Sequence, residues 1–293
     1  MASFTTSGTS WTTGWPDTCT TSTTRSSLDP MRDLNVTVPD YPYGSPCWVD
    51  LLVSDVPRAQ TFYSELFGWR WLAGDPATGG YTMALLDGHP VAGISRKPVG
   101  APIASQWTTY LRVGQIEVAE AAINAHGGRT LGRPVPIGAL ARTLIALDPG
   151  GAYFGVWEPG DLPGSGVLDE PGSLTWNELL TRDYDKVQGF QFGVFGHEFT
   201  DETEPGGPRW ATAHTGDGNP AYGLAEIDGD WPAEIPPHWV VSFATRNVVP
   251  GLARALDLGA TLLQGPFDGP YGVGAVLSGP EGEVFSLLVP DLD

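Results

Sequence analysis

Two acidic residues hold matching places in two similar segments of the chain, each two positions after a tryptophan. Asp50 follows Trp48, and Glu178 follows Trp176. Side chains two positions apart on a strand share one face. If apolar groups enclose that face, burial raises the pKa of the carboxyl group, which suits a general acid or base. The structural alternative is that each acid only accepts backbone or tyrosine hydrogen bonds, or pairs with an arginine such as Arg112.

These segments belong to an internal repeat. Residues 44–69 and 172–197 align without a gap, 128 positions apart. The identical pairs are Gly44/Gly172, Ser45/Ser173, Trp48/Trp176, Leu51/Leu179, Leu52/Leu180, Asp55/Asp183, Gln60/Gln188, Phe62/Phe190, Phe67/Phe195 and Gly68/Gly196. A helical pattern alone would not reproduce Trp, Asp and Phe-Gly at one spacing, so the pairs indicate a duplication.

The repeat continues to the end of the chain and sets the domain organisation. The motif at 89–94 matches 219–224, and the motif at 148–159 matches 279–290. We predict one domain over 44–160, a Gly/Pro-rich linker over 161–171 and a second domain over 172–293. Residues 1–43 are predicted to form a disordered tail and lead-in, because the first thirty are dominated by Ser and Thr.

Each domain divides again into two similar modules. In the first, an apolar strand at 48–53 precedes a helix that Asp55 caps and Gly68 ends. Further predicted elements are strands at Tyr81–Leu86, Val91–Ser95, Trp107–Val113, Leu144–Leu147 and Tyr153–Trp157, with a helix at Ile116–Ala125. The pattern β-α-β-β-β occurs four times, which predicts an α+β fold.

Composition limits the partners. The formal charge of -19, with no basic patch, excludes nucleic acid and anionic membrane surfaces. No apolar run reaches the roughly 18 residues of a membrane span. Two cysteines and the lack of a secretory signal predict a cytoplasmic protein.

The sequence resembles the vicinal oxygen chelate superfamily, which includes glyoxalase I, extradiol dioxygenases, and bleomycin and fosfomycin resistance proteins. The resemblance rests on the strand followed by Asp55-x₆-Phe62-Tyr63-x₃-Phe67-Gly68-Trp69, on the turn at 148–151, and on their copies at 183–196 and 279–282. It implies four βαβββ modules that form two glyoxalase/bleomycin-resistance-like domains. Their mixed sheets would curl into cups around a small molecule. Single-domain members often dimerise, so the tandem chain is expected to be a monomer or a homodimer.

Many members bind a divalent metal through His, Gln or Glu at set strand positions. The resemblance places these residues there: Trp48, Trp176, Thr108, Val240, Gly155 and Ser286. None is His or Glu, and a tryptophan indole only donates. We therefore predict no metal and no cofactor, which disfavours glyoxalase-type isomerisation and ring cleavage. A metal held by rearranged ligands, drawn from the five histidines and Glu226, is an alternative.

With the metal positions facing inward, strand alternation predicts the lining of both cups. The predicted catalytic residues are Asp50, Tyr110 and Arg112. The predicted ligand-binding residues are Trp48, Thr108, Tyr153, Trp157, Trp176 and Glu178. The first cup carries more polar groups, so the ligand is placed there.

Three functions fit this lining. The first is a metal-independent tailoring enzyme of secondary metabolism, with lyase-, isomerase- or cyclase-like proton transfer on an aromatic or polyketide-like metabolite. The second is a binding protein that sequesters a toxic small molecule, as in antibiotic resistance. The third is a metal-dependent glyoxalase or dioxygenase with unusual ligands. Sequence alone does not separate an enzyme from a binder.

Overall fold

The computed structural model describes residues 39–74, 81–98, 100, 103–269 and 272–290. Of the predicted tail and lead-in, only residues 39–43 are among them, so the prediction of disorder for residues 1–38 falls outside the described part.

The first copy of the repeat contains eight strands and two helices. In chain order they are β1 (Pro46–Val53), α1 (Val56–Phe67), β2 (Arg70–Leu72), β3 (Thr82–Leu86), β4 (His89–Arg96), β5 (Gln106–Arg112), α2 (Ile116–Ala125), β6 (Arg129–Ile137), β7 (Ala141–Leu147) and β8 (Tyr153–Pro159). The order is β-α-β-β-β twice, as the sequence predicts. The predicted bounds of α2 match the structure at both ends.

The second copy repeats this order. Its elements are β9 (Leu174–Thr181), α3 (Tyr184–Phe195), β10 (Glu198–Asp201), β11 (Trp210–His214), β12 (Pro220–Glu226), β13 (His238–Ala244), α4 (Val248–Asp257), β14 (Thr261–Gly269), β15 (Gly272–Ser278) and β16 (Val284–Pro290).

Each copy forms one eight-stranded mixed sheet. The orders are β2-β3-β4-β1-β5-β8-β7-β6 and β10-β11-β12-β9-β13-β16-β15-β14. The first strands of the two modules, β1 and β5, pair antiparallel at the centre of the first sheet, and β9 and β13 do so in the second. Consecutive modules therefore build one cup together, a pairing that the sequence leaves open. The predicted fold class is confirmed.

The first helix of each copy ends as the sequence predicts. Gly68 and Gly196 both adopt the left-handed conformation, with φ of 77° and 73°, which glycine enters without a side-chain clash. The starts of the helices differ. The Asp55 side chain accepts from the Arg58 amide at 3.1 Å, whereas the Asp183 side chain makes no such hydrogen bond.

The two sheets share their hydrophobic cores on the helix-covered sides. One core joins β1, α1 and β4 of the first copy to β13, α4, β15 and β16 of the second. The other joins the second module of the first copy to the first module of the second. Apolar burial therefore links the copies, and the opposite faces of the sheets form the cups.

The late turn of the second copy caps the first helix of the first copy. The Glu281 carboxylate accepts from the backbone amides of Ser54, at 2.6 Å, and Asp55, and from the Ser105 hydroxyl at 2.8 Å. A carboxylate at a helix N-terminus satisfies unpaired amides and complements the helix dipole. The late turn of the first copy contacts the other first helix in return, because Lys186 donates to the Pro149 carbonyl at 2.7 Å.

Replacing Glu281 by alanine should lower the free energy of unfolding by about 1–2 kcal/mol, because the start of α1 loses its acceptor. Urea unfolding measures the change, and Glu204→Ala, at an exposed turn position, is the matched control. Equal stability of the two variants would show that this contact between the copies contributes nothing.

In the part of the chain that the structure describes, the helices are too short to span a membrane, since the longest has 12 residues.

Candidate functional site

The floor of the first cup is formed by four neighbouring strands, β4, β1, β5 and β8. Asp50 of β1 pairs with Thr108 of β5 on one side and with Gly93 of β4 on the other. Tyr110 lies two residues along β5 from Thr108 and is the register partner of Gly155 in β8. This register brings the predicted acid and the predicted tyrosine to the same face.

Asp50 and Tyr110 form a buried hydrogen-bonded pair. The Tyr110 hydroxyl donates to Asp50 Oδ2 at 2.7 Å, and the two residues are only 7% and 4% exposed. Burial raises the pKa of Asp50 to about 7, against a smaller lowering effect of the Tyr110 hydrogen bond. Burial and the nearby Asp50 charge raise the pKa of Tyr110 well above its ordinary value. Near neutral pH the pair can therefore either accept or deliver a proton at Asp50.

Tyr81 is a third member of this cluster, and sequence reasoning missed it. The Trp48 indole N–H donates to its hydroxyl at 2.7 Å, and the Asp50 charge contributes to its raised pKa. Its ring lies directly over Gly93, where a Cβ would come within 1.8 Å of the hydroxyl oxygen. The signal in the sequence was the glycine in a strand interior, which often marks a close approach by another group.

Trp48 and Trp157 form the bottom of the first cup. Both side chains are fully buried, and their ring centroids lie 5.4 Å apart. Tyr110 packs edge-on against Trp157 at 5.8 Å, and the Trp157 indole donates to the Leu162 carbonyl at 3.0 Å. These tryptophans therefore pack beside the Asp50 cluster on the same face of the sheet.

The remaining predicted residues of the first cup are Thr108, Tyr153 and Arg112. Thr108 is buried beside Asp50, and Tyr153 is 39% exposed at the start of β8. The positive charge of Arg112 acts on Cys47, partly offsetting the effect of burial, which raises the pKa of that thiol. In the described part of the chain, Arg112 makes no ion pair with a carboxylate. The structure therefore does not show the alternative of an ion pair between Arg112 and Asp50. The Asp50 carboxylate instead accepts the hydrogen bond from the Tyr110 hydroxyl.

The second cup repeats the arrangement with other side chains. Glu178 of β9 pairs with Gly223 and Val240, and the Trp210 indole donates to its Oε1 at 2.9 Å. Burial raises the pKa of Glu178. Trp176 lies on the same face, two residues before Glu178, and is partly exposed.

The buried histidine His197 links the two copies. Its Nε2–H donates to the Gly44 carbonyl at 3.1 Å, because a carbonyl can only accept. Nδ1 therefore accepts from the Tyr222 hydroxyl at 3.0 Å. Burial lowers the pKa of His197 to about 4, so the ring is neutral at physiological pH and serves packing.

The positions where the superfamily holds a metal do not fit one in this chain. The indole N–H of Trp48 is its only polar hydrogen, and it donates to the Tyr81 hydroxyl. The Tyr110 ring covers Gly155, where a Cβ would lie 2.2 Å from the ring. The matching positions of the second cup are Trp176, Val240 and Ser286. Among the described residues, no three His, Cys, Asp or Glu side chains cluster as a metal site.

Comparison with known proteins agrees with this fold. A family model described as glyoxalase/bleomycin resistance protein/dioxygenase superfamily matches residues 47–156. A Mycobacterium tuberculosis protein, CFP32, provisionally named a glyoxylase, is 34% identical over 260 residues, covering 86% of this chain and 97% of its own. The chain belongs to the glyoxalase/bleomycin resistance protein/dioxygenase superfamily. The anthracycline biosynthesis protein DnrV of Streptomyces peucetius is 31% identical over 261 residues, covering 84% of this chain and 93% of its own.

Solved structures of the superfamily share the fold. The Mn(II)-bound glyoxalase from Novosphingobium aromaticivorans superposes with a TM-score of 0.58 at 16% identity, covering 85% of this chain and 82% of its own. The 2,2',3-trihydroxybiphenyl 1,2-dioxygenase from Sphingomonas wittichii superposes with a TM-score of 0.57 at 12% identity, covering 85% and 93%. At this identity the likeness concerns the fold alone.

Proposed function

We propose that this protein is a metal-independent enzyme of the superfamily that transfers a proton on a small aromatic or polyketide-like metabolite in the first cup. The observation that carries the proposal is the enclosed Asp50–Tyr110 pair, whose carboxyl group has a pKa of about 7. A group that titrates near the working pH is suited to general acid–base catalysis. Relatives named as anthracycline biosynthesis proteins support an aromatic substrate, because anthracyclines contain fused aromatic rings.

Asp50 is the base in this proposal. Oδ2 is held by the Tyr110 hydroxyl, whereas Oδ1 accepts no hydrogen bond from the residues that the structure describes. Oδ1 can therefore take a proton from a carbon next to a carbonyl group of the substrate. Tyr110 fixes the carboxylate and stabilises its charge, and the protonated Asp50 can return the proton to another atom of the substrate.

Tyr81 is placed to stabilise the enolate oxygen that forms. Its hydroxyl accepts from the Trp48 indole, and no described residue accepts its own proton. That proton is available to an oxyanion, and the indole donor strengthens the hydroxyl as a donor. This step does not require Arg112, because the Tyr81 hydroxyl supplies the donor.

Hydrogen–deuterium exchange tests this proposal without the natural substrate. Naphthyl and anthracenyl β-ketoesters are incubated with the protein in D₂O, and label at the acidic carbon is followed by NMR and mass spectrometry. We expect catalysed exchange that Asp50→Asn slows by about 10²-fold or more. Tyr110→Phe should shift the pH profile of the rate, because it removes the donor that lowers the pKa of Asp50.

Glu178→Gln is the matched control, since it alters the buried acid of the other cup and should leave exchange unchanged. If Asp50→Asn exchanges label as fast as the wild type, Asp50 is not the base. Saturable binding of a ketoester with no exchange at any pH would favour a sequestering protein instead.

A further inference from the structure

We infer that the second cup is a separate binding site for a small organic cation, an apolar or aromatic molecule whose protonated amine pairs with the Glu178 carboxylate. This inference goes beyond the proposed function, because it concerns the other cup and requires nothing of Asp50.

The position of Glu178 indicates a concave site. Protein surrounds its carboxyl group closely enough for burial to raise its pKa, yet the residue retains accessible surface. The strand register sets Glu178 in the middle of the sheet, between Gly223 of β12 and Val240 of β13. Asp50, its counterpart, is only 7% exposed.

The side chains around Glu178 also leave more room than those of the first cup. In the second copy, Ser242 is the residue equivalent to Tyr110, and Leu288 is equivalent to Trp157. Ser286 is equivalent to Gly155. Two large rings are thus replaced by smaller side chains. Among the described residues, the side chains on the floor of the second cup are therefore smaller than their counterparts in the first.

The charge of Glu178 has no cationic partner among the described residues. Its only hydrogen bond from that part of the chain comes from the neutral Trp210 indole. The described ion pairs all involve exposed or half-exposed side chains elsewhere. An ionised carboxylate in apolar surroundings is costly unless it is paired. A ligand with a positive charge supplies that partner, and the net charge of -19 favours its approach.

The walls of the second cup are aromatic. Trp176 shares the face of Glu178, and the Trp210 ring lies 3.4 Å from a Cβ built on Gly223. Trp231 packs against a small apolar cluster that includes Val240, the register partner of Glu178. All three tryptophans are partly exposed. Indole faces attract cations, so a carboxylate among three indoles selects an ammonium group on an apolar body over an anion or a neutral alcohol.

A matched pair of ligands tests this inference. Binding of 1-naphthylmethylamine and of 1-naphthylmethanol to the full chain is measured by isothermal titration calorimetry at pH 7.5. We expect the amine to bind at least about tenfold tighter. Glu178→Gln should remove this preference, and Asp50→Asn should keep it.

The pH dependence of the wild type gives a second test that needs no variant. Since the pKa of Glu178 is raised, the ionised fraction grows as pH rises. Affinity for the amine should therefore be weaker at acidic pH than at neutral pH, while affinity for the alcohol should not change. The inference is wrong if neither compound binds, or if both bind with equal affinity. It is also wrong if the preference for the amine survives Glu178→Gln or disappears in Asp50→Asn. Amine affinity that does not change with pH would contradict it as well.

Discussion

Replacing Asp50 by asparagine should stabilise the protein by roughly 4 kcal/mol at pH 8 and change its stability little below pH 4. The amide keeps the size of the side chain and still accepts from the Tyr110 hydroxyl, but it carries no charge. The wild type must hold a carboxylate in a site where burial raises the pKa from 3.8 to about 7. Each unit of that difference corresponds to about 1.4 kcal/mol.

The sign follows from proton binding in the two states. Between pH 4 and pH 7 the unfolded chain has lost the Asp50 proton, whereas the folded protein retains it. The folded state then binds more protons, so wild-type stability falls as pH rises from 4 to 7. Above pH 7 the contribution of Asp50 to stability no longer changes with pH. The asparagine variant lacks this contribution. The difference in the free energy of unfolding between the two proteins should therefore grow as pH rises from 4 to 7.

Urea unfolding at half-unit pH intervals from 4 to 8.5 measures this difference. Glu234→Gln, a substitution of the same kind at an exposed position, is the control. A gap between Asp50→Asn and the wild type that stays constant with pH would mean that the carboxyl group titrates normally. Such a result would also remove the main support for Asp50 as a base.

Replacing Gly155 by serine, the residue at the same place in the second copy, should destabilise the protein by about 3 kcal/mol. Gly155 does not adopt a positive φ, so the backbone tolerates a side chain. The conflict is with Tyr110, because the new Cβ would lie 2.2 Å from the tyrosine ring. The ring must move, and its hydrogen bond to Asp50 is lost with it.

A double-mutant cycle isolates this conflict. In the second copy the equivalent pair is Ser242 beside Ser286, so Gly155→Ser should cost far less when Tyr110 is also serine. Unfolding free energies of the two single variants and the double variant give the coupling energy. Ser286→Ala is the control and should change stability by less than about 1 kcal/mol. Additive effects of the two substitutions would contradict the packing of Tyr110 on Gly155.

The repeat is what made the fold predictable. Residues such as Asp55 and Gly68 hold local roles, as a helix cap and a left-handed helix end, and these can be assigned from residue type and spacing. Strand alternation likewise placed Trp48, Asp50 and Tyr110 on one face. The edge strands β2 and β6 were not located, since they are short or polar and carry little periodic signal.

The partners within the site were less predictable, because they depend on side-chain direction and strand register. Tyr81 lies near Asp50 because β3 pairs with β4, which sets the Tyr81 ring over Gly93, the register partner of Asp50. Arg112 shares a strand face with Tyr110, yet its charge acts on Cys47. No spacing rule distinguishes these outcomes. The roles assigned to Asp50 and Glu178 are proposals that the exchange and calorimetry experiments test.

The cap that Glu281 places on the first helix has a consequence for synthesis of the protein on the ribosome. The carboxylate joins Ser54 across 227 positions of the chain. Helix α1 can form early, but its first turn gains this acceptor only when nearly the whole chain has emerged. The shared cores impose the same delay, since each contains strands from both copies. We expect the nascent first copy to keep apolar surface exposed until the second arrives, and so to depend on chaperones during translation.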